Sequence, residues 1–420
     1  MVKMISENQN SSWRIVKLKD ILFELESGKR PKGGVQGIES GIPSIGAEHL
    51  NIKGGFKFEK IKFVPIEFAK QMNKGIIKEN DIIVVKDGAT TGKTSFVGID
   101  FPYRFAVINE HVFIVRVKNE LLPKYVFYKL FSSLGKKEIL EDFRGAAQGG
   151  ISSSFVNNVN IPIPPLREQQ LIVSKIEQLF SELENGKQQL ETALQQLKIY
   201  RQSLLKWAFE GKLTNKNVKE GELPVGWKWV KLGEVTINLD GKRIPLSREI
   251  RSKRKGKYRY YGATEIVDNI DDYIFDGVYL LIGEDGANLV SKSRPLAFIV
   301  EGKFWVNNHA HVLQAKEILA LKYLSYYFNS LNIAQFVTGS AQPKLTQANL
   351  NKILIPLPLM EEQQLIIQEL ESKLTICDKI EEAITNTLQQ AETLSQSILK
   401  MAFDGKLRIN QDEEVRIFVD

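Results

Sequence analysis

The chain has 420 residues, enough for two to four domains, and its 57 basic against 50 acidic side chains leave a net charge of +7. A single cysteine, Cys377, excludes an intrachain disulfide and points to a reducing cytoplasm. No apolar run reaches the ~18–20 residues of a membrane span, and "MVKMISENQNSSW" lacks the apolar segment of a secretory signal. The modest basic excess fits a polyanionic partner without requiring one.

Taken in chain order, β-branched runs alternate with glycine turns. "DIIVV" (81–85) and "FAVINEHVFIVRV" (105–117) read as strands of a mixed sheet, and "PKYVFYKLFSSLGKK" (123–137) as a helix closing the unit. Prolines 162, 164 and 165 favour an extended approach, and Pro165 suits a first helical position. Apolar residues then step by four and three: Ile172, Ile176, Leu179, Leu183, Gly186, Leu190, Ala193, Leu197, Tyr200, Leu204. This is a heptad seam, interrupted only at Gly186, where a kink is one reading. Gly211 is a natural stop.

A second strand-rich region follows, with "YLLIG" (279–283), "PLAFIV" (295–300) and a helix near 320–336. A second seam runs through Ile366, Leu370, Leu374, Cys377, Ile380, Ile384, Leu388, Ala391, Leu394 and Ile398, with Gly405 as its stop. About 44 residues at ~1.5 Å each give rods of roughly 65 Å. A narrow apolar stripe needs a partner, and the obvious one is the other rod, in antiparallel pairing.

The two rods are copies. "IPIPPLREQQLI" at 161 matches "IPLPLMEEQQLI" at 355, an offset of 194 that holds without a gap through "SLLKWAFEGKL" (203–213) and "SILKMAFDGKL" (397–407). Earlier parts match more loosely. "WRIVKLKDI" (13) pairs with "WKWVKLGEV" (227), "ESGKRP" (26) with "LDGKRIP" (239), "NEHVFIVRV" with "NNHAHVLQA", and "GAAQGG" with "GSAQPK". The fold class is α+β: two globular mixed-sheet units and two long helices, arranged as an internal repeat. The expected segments are 1–160, 161–213, 214–354 and 355–408, with a tail at 409–420.

Catalytic motifs are missing: there is no GxSxG, HExxH or paired CxxC. "DGATTGKTS" resembles a phosphate-binding loop, but Asp87 stands where the first glycine belongs and a strand follows instead of a helix. Its counterpart "DGANLVSKS" keeps Asp-Gly-Ala and loses Gly-Lys-Thr, so a nucleotide hydrolase is disfavoured. "HAH" at His309 and His311 raises a metal site, but His311 is taken as the counterpart of His111 in a scaffold strand, and no ligand cluster completes it.

Basic, tyrosine-bearing loops fit nucleic acid better. The candidates are Lys29, Arg30 and Lys32, which recur in part as Lys242 and Arg243, and the run with Arg248, Arg251, Arg254, Lys257 and Tyr260. The turn 86–93 adds Lys86, Thr90, Thr91 and Lys93; the loops before the rods add Arg144, Gln148, Gln342 and Lys344. A solvated basic face on a coiled-coil interaction protein is the competing reading.

The Trp-x-x-Val-Lys-Leu openings, the "GAAQGGISSSFVNNVNIPIPP" segment with its repeat, and the "EQQLI…FEGKL" and "EQQLI…FDGKL" rods together resemble the specificity subunit of type I restriction-modification systems. The resemblance implies two target recognition domains, each reading half of a bipartite DNA site, held apart by an antiparallel coiled coil that sets the spacer. It implies two modification subunits carrying S-adenosylmethionine, restriction subunits adding ATP-driven translocation and cleavage, and no cofactor, metal or catalysis in this chain. It further implies a prokaryotic cytoplasmic setting with no membrane contact.

Overall fold

A computed structural model describes residues 13–145, 149–215, 217–315, 317–339 and 341–408. Two compact units divide the chain: Met1–Gln189 with Asn386–Asp420, and Leu190–Thr385. Each long helix therefore begins in one unit and ends in the other. Among the described residues no helix is long and apolar enough to cross a membrane.

The first unit contains β1 (Arg14–Lys17), β2 (Leu22–Ser27), β3 (Ile42–Ile45), β4 (Lys62–Val64), β5 (Ile82–Val85), β6 (Thr94–Phe96), β7 (Val107–Ile108), β8 (Val112–Val117) and β9 (Asn160–Ile163). An antiparallel sheet in the order β2-β8-β5-β6 lies beside a three-stranded one, β4-β3-β7, whose β3–β7 pair is parallel. The period of two explains the layering. Ile82 and Val84 of β5 enter a cluster with Tyr125 and Phe155, while Ile83 and Val85 enter one with Ile45 and Ile108. Both faces of β5 are covered, so it reads as an unbroken apolar run.

The second unit contains β10 (Lys228–Lys231), β11 (Ile237–Asn238), β12 (Lys255–Tyr261), β13 (Ile266–Ile270), β14 (Phe275–Gly283), β15 (Ala297–Val306), β16 (Ala310–Gln314) and β17 (Leu354–Leu357). Its six-stranded sheet runs β11-β16-β14-β15-β12-β13, with only β12–β15 parallel. Leu280 and Ile282 face the cluster built with the helix Ile318–Ser330, and Leu281 faces the opposite cluster.

The repeated motifs form the same joint in both units. β1 pairs antiparallel with β9 and β10 with β17, so the Trp-x-x-Val-Lys-Leu strand lies against the strand that leads into the long helix. Trp13 Nε1 donates to Glu168 Oε2 at 3.2 Å, and Trp227 Nε1 donates to Glu362 Oε2 at 2.8 Å. The hydroxyl of Tyr125 donates to the Pro162 carbonyl and that of Tyr323 to the Pro356 carbonyl, at 2.9 and 2.6 Å. Burial pushes both phenols well above the ordinary tyrosine range, so they serve as fixed donors.

The long helices span Leu166–Phe209 and Met360–Phe403, 44 residues each. Gly211 and Gly405 follow the ends in left-handed conformation, at φ +75° and +65°. In the first unit Ile172, Ile176, Leu179 and Phe180 pack with Ile398, Leu399 and Ala402. In the second, Leu197, Leu204 and Ala208 pack with Ile366, Leu370, Leu374 and Cys377. The start of one helix meets the end of the other in each unit, which is antiparallel pairing. Leu183 and Leu190 are half-buried and Ile384 is buried.

Three expected seam positions face outward instead: Tyr200, Ile380 and Leu394 are exposed, at 42%, 42% and 47%. At two of them a seam that can step by three or by four takes four, through the half-buried Arg201 and Ser395. Arg201 bridges to the exposed Asp378 at 2.7 Å and Glu381 at 2.8 Å, so an ion pair sits at the place that the apolar pattern assigned to Tyr200; at Ile380 the next position, Glu381, is exposed as well.

The first helix continues through Gly186 without a break, and a Cβ there would meet nothing within 4 Å. Gly186→Ala is expected to stabilise the protein by about 1 kcal/mol. Thermal unfolding checks this: Tm rises if the helix is regular there and falls if the glycine relieves strain.

Candidate nucleic-acid interface

In each unit the loops that recur between the halves converge. In the first, Gly28 packs so closely on the Ile108 and Asn109 carbonyls that a Cβ would lie 2.1 Å from the former, which brings the Gly-Lys-Arg loop to the start of β8. Arg30 reaches Glu110 at 3.5 Å. Asp87, in the Asp-Gly-Ala turn, bonds His111 Nδ1 at 2.6 Å and bridges to Gly150 in the loop before the helix, as Arg144 does. A pocket of about 300 Å³ opens here, lined by Lys29, Arg30, Glu48, Asn109 and His111.

The second unit repeats the arrangement. Arg243 Nη1 donates to the Ala310 carbonyl at 2.6 Å and to Glu284 Oε2 at 2.5 Å. Asp285 bonds His309 Nδ1 at 2.8 Å and bridges to Lys344. Gly88 and Gly286 take the same left-handed turn, at φ +90° and +97°.

The expected contact residues divide by exposure. Lys29, Arg30, Lys32, Thr90, Arg144, Lys242, Gln342 and Lys344 are exposed, and Lys86 is half-buried against the Phe113 ring. Gln148 lies outside the described residues. Thr91 is buried and its hydroxyl donates to the Gly88 carbonyl, closing the turn. Lys93 turns inward to the Leu50 carbonyl at 2.7 Å, and burial lowers its pKa, with Lys57 and Lys136 adding repulsion. β6 follows directly, so the Gly-Lys-Thr stretch is a hairpin and not a phosphate loop.

The basic run 248–260 is largely neutralised internally. Arg251 pairs with Asp268 at 3.3 Å and lies over the Tyr260 ring; Arg254 pairs with Asp271 at 2.8 Å and lies over Trp305. Lys255, then Arg251, hold the Asp268 carboxyl below its usual range. Tyr260 itself is fully buried, and its hydroxyl accepts from Leu246 N. Arg251, Arg254 and Tyr260 therefore fasten the helix Arg248–Lys253 onto the β12–β13 hairpin, a role that the sequence run disguises as surface charge. Arg243, with its side chain 12% exposed, is likewise committed to Glu284. Among the described residues, Arg248, Lys257 and Arg259 have no ion-pair partner and are exposed.

The histidine register also needs correcting. His309, not His311, is the counterpart of His111. Each donates its backbone N–H to the Oδ1 of the asparagine two residues earlier, Asn109 and Asn307, and each pairs with an aspartate 24 residues upstream. That equal separation was the sequence signal for these residues. His311 is buried, bonded to Asp240 Oδ2 at 2.6 Å and the Leu345 carbonyl at 2.7 Å. Burial alone would raise the Asp240 carboxyl, but the His311 hydrogen bond and charge bring it below its ordinary value. Asp240, Glu284 and His311 bring ligand-type atoms within 4.8 Å of one another. Arg243 and Lys344 already hold Glu284, at 2.5 and 3.1 Å, so a dication would have to displace two cations and the group does not suit one.

Comparison with known proteins gives the class. The family model described as "Type I restriction modification DNA specificity domain" matches residues 10–192 and 224–390. The chain belongs to that family, with one copy of the domain in each half. It is 24% identical over 430 residues to the type I restriction enzyme MjaVIII specificity subunit of Methanocaldococcus jannaschii, covering 94% of this chain and 93% of that one. The fold is shared with the HsdS subunit of Thermoanaerobacter tengcongensis, at TM-score 0.65 and 21% identity over 94% of this chain and 98% of that one. It is also shared with a chain from a study of complex assembly and conformational transition in the type I restriction-modification system, at TM-score 0.68 and 20% identity over the same shares.

Proposed function

We propose that this chain is the DNA-specificity component of a type I restriction-modification complex, in which each sheet domain reads one half of a bipartite site. The carrying observation is the duplicated convergence of loops: the Gly-Lys-Arg loop, the Asp-Gly-Ala turn and the loop before the helix meet once per unit, edged by exposed cations. The sheets around them differ, seven strands in two sheets against six in one, so the two readers have room to prefer different sequences. The proposed contacts are Lys29, Arg30, Lys32, Lys86, Thr90 and Arg144 in the first domain and Lys242, Arg248, Lys257, Gln342 and Lys344 in the second, with Arg259 added from the geometry. The paired helices act as the spacer.

The chain supplies recognition and no chemistry. Methylation, with S-adenosylmethionine, and ATP-driven cleavage belong to modification and restriction subunits in the cytoplasm. A docking face for two modification subunits is suggested by exposed apolar residues at equivalent places on the helices. Tyr200 and Trp207 on the first correspond at an offset of 194 to Leu394 and Met401 on the second, and all four are 39–47% exposed. Exposed apolar pairs recurring at matched positions fit a partner that binds twice in the same way.

Two measurements check this reading. Reversing Arg248, Lys257 and Arg259 to glutamate weakens duplex binding and flattens its salt dependence by about three phosphate contacts, without loss of Tm. Unchanged binding contradicts it. Trp207→Glu and Met401→Glu each remove one modification subunit from the purified complex, and the double variant removes both. Full stoichiometry in the double variant contradicts the docking face.

A further inference from the structure

The two domains have diverged in sheet order and length, yet one small constellation is the same in both. An asparagine side chain accepts the histidine N–H two residues later, at 3.0 Å for Asn109–His111 and 2.8 Å for Asn307–His309. The same histidine holds the aspartate of the Asp-Gly-Ala turn through Nδ1, at 2.6 Å from Asp87 and 2.8 Å from Asp285. The ring is nevertheless open to solvent, with the side chain 45% exposed in His111 and 47% in His309. A ring kept only to brace a turn gains by burial. Here Nδ1 is anchored while close to half of the side chain stays exposed, and in His111 the Glu110 carboxylate stands beside Nε2.

The surroundings say what such an edge meets. Arg144 lies in the loop bridged to Asp87, and Lys344 in the loop bridged to Asp285. Arg30 reaches Glu110, which also lies 3.4 Å from His111 Nε2; Asn308 takes that place in the second domain, so no carboxylate follows the histidine there. An identical constellation in two otherwise different readers points first to what their half-sites have in common. What every half-site shares is the phosphate backbone, and backbone contacts fix register without carrying sequence information.

We infer that His111 and His309 are paired phosphate anchors: each, as the imidazolium held through Nδ1–H by its aspartate, donates from Nε2–H to a DNA phosphate oxygen and sets the register of its domain on the duplex. This rests on the DNA-specificity reading. An anchor of this kind acts on cognate and unrelated duplex alike. Asp87 and Asp285 are then positioning residues, since they touch the ring and not the DNA.

The experiment uses the full chain in complex with its modification subunits. His111→Gln and His309→Gln are each expected to weaken binding about tenfold, on cognate and scrambled duplex equally, as for loss of one hydrogen bond to a charged group. The double variant is expected to lose about a hundredfold, the sites being independent. Duplexes carrying a single neutral methylphosphonate at successive positions supply the second readout. One position per half-site costs the parent about tenfold and costs the matching histidine variant nothing further. Three outcomes overturn the inference: affinity unchanged, affinity lost only on cognate duplex, or affinity lost in proportion to a fall in Tm. If the parent complex binds no duplex, the failure lies with the DNA-specificity reading and not with the anchors.

Discussion

Everything in this protein hangs on a joint made twice. A two-stranded ladder ties the opening of each domain to the strand that enters a long helix, and an indole N–H on a glutamate of the first helical turn locks the corner. A buried tyrosine hydroxyl on the adjoining proline carbonyl adds a third fixing point. Hydrogen bonds to charged or desolvated acceptors are worth about 1.5–3 kcal/mol where their loss leaves a buried group unpaired. Without that joint a sheet domain swings freely on its helix, and a stiff rod no longer fixes where its loops lie. In the second unit Glu362 also takes bonds from Thr214 and Asn215, so the segment leaving the first helix is gathered into the same corner.

Charge is distributed with the same economy of purpose. Arg251, Arg254 and Arg243 are spent internally on Asp268, Asp271 and Glu284, where they hold loops to sheets. Among the described residues, Lys29, Lys32 and Lys242 stand unpaired on the loops that meet beside the two histidines, and Lys257 and Arg259 along β12. A basic cluster in the sequence is therefore two populations, one that shapes the reader and one that can face a polyanion.

The repeat made most of the architecture legible. A gap-free offset fixed the two helices and their glycine ends, and the apolar runs of β5 and β8 marked them as strands of a mixed sheet. The seam failed at Tyr200 and Leu394 because hydrophobicity alone cannot say whether a heptad steps by three or four, and Arg201 and Ser395 take those places; at Ile380 both candidate positions are exposed. Tyr260 failed because a basic neighbourhood hides the fact that a strand residue points inward. Thr91 and Lys93 failed because a turn consumes its own polar groups. The histidine register was available from the 24-residue spacing to Asp87 and Asp285, but only once the aspartates were seen as partners, which requires the strands to be paired first.

The central claim is that the helices measure and the domains read. Inserting one heptad at matched positions in both helices lengthens each by about 10 Å, close to three base pairs of duplex. Mapping the methylated sites of the resulting complex by single-molecule sequencing tests it directly. The account predicts the same two half-sites with a spacer longer by about three base pairs; altered half-sites, or the original spacer retained, would contradict it.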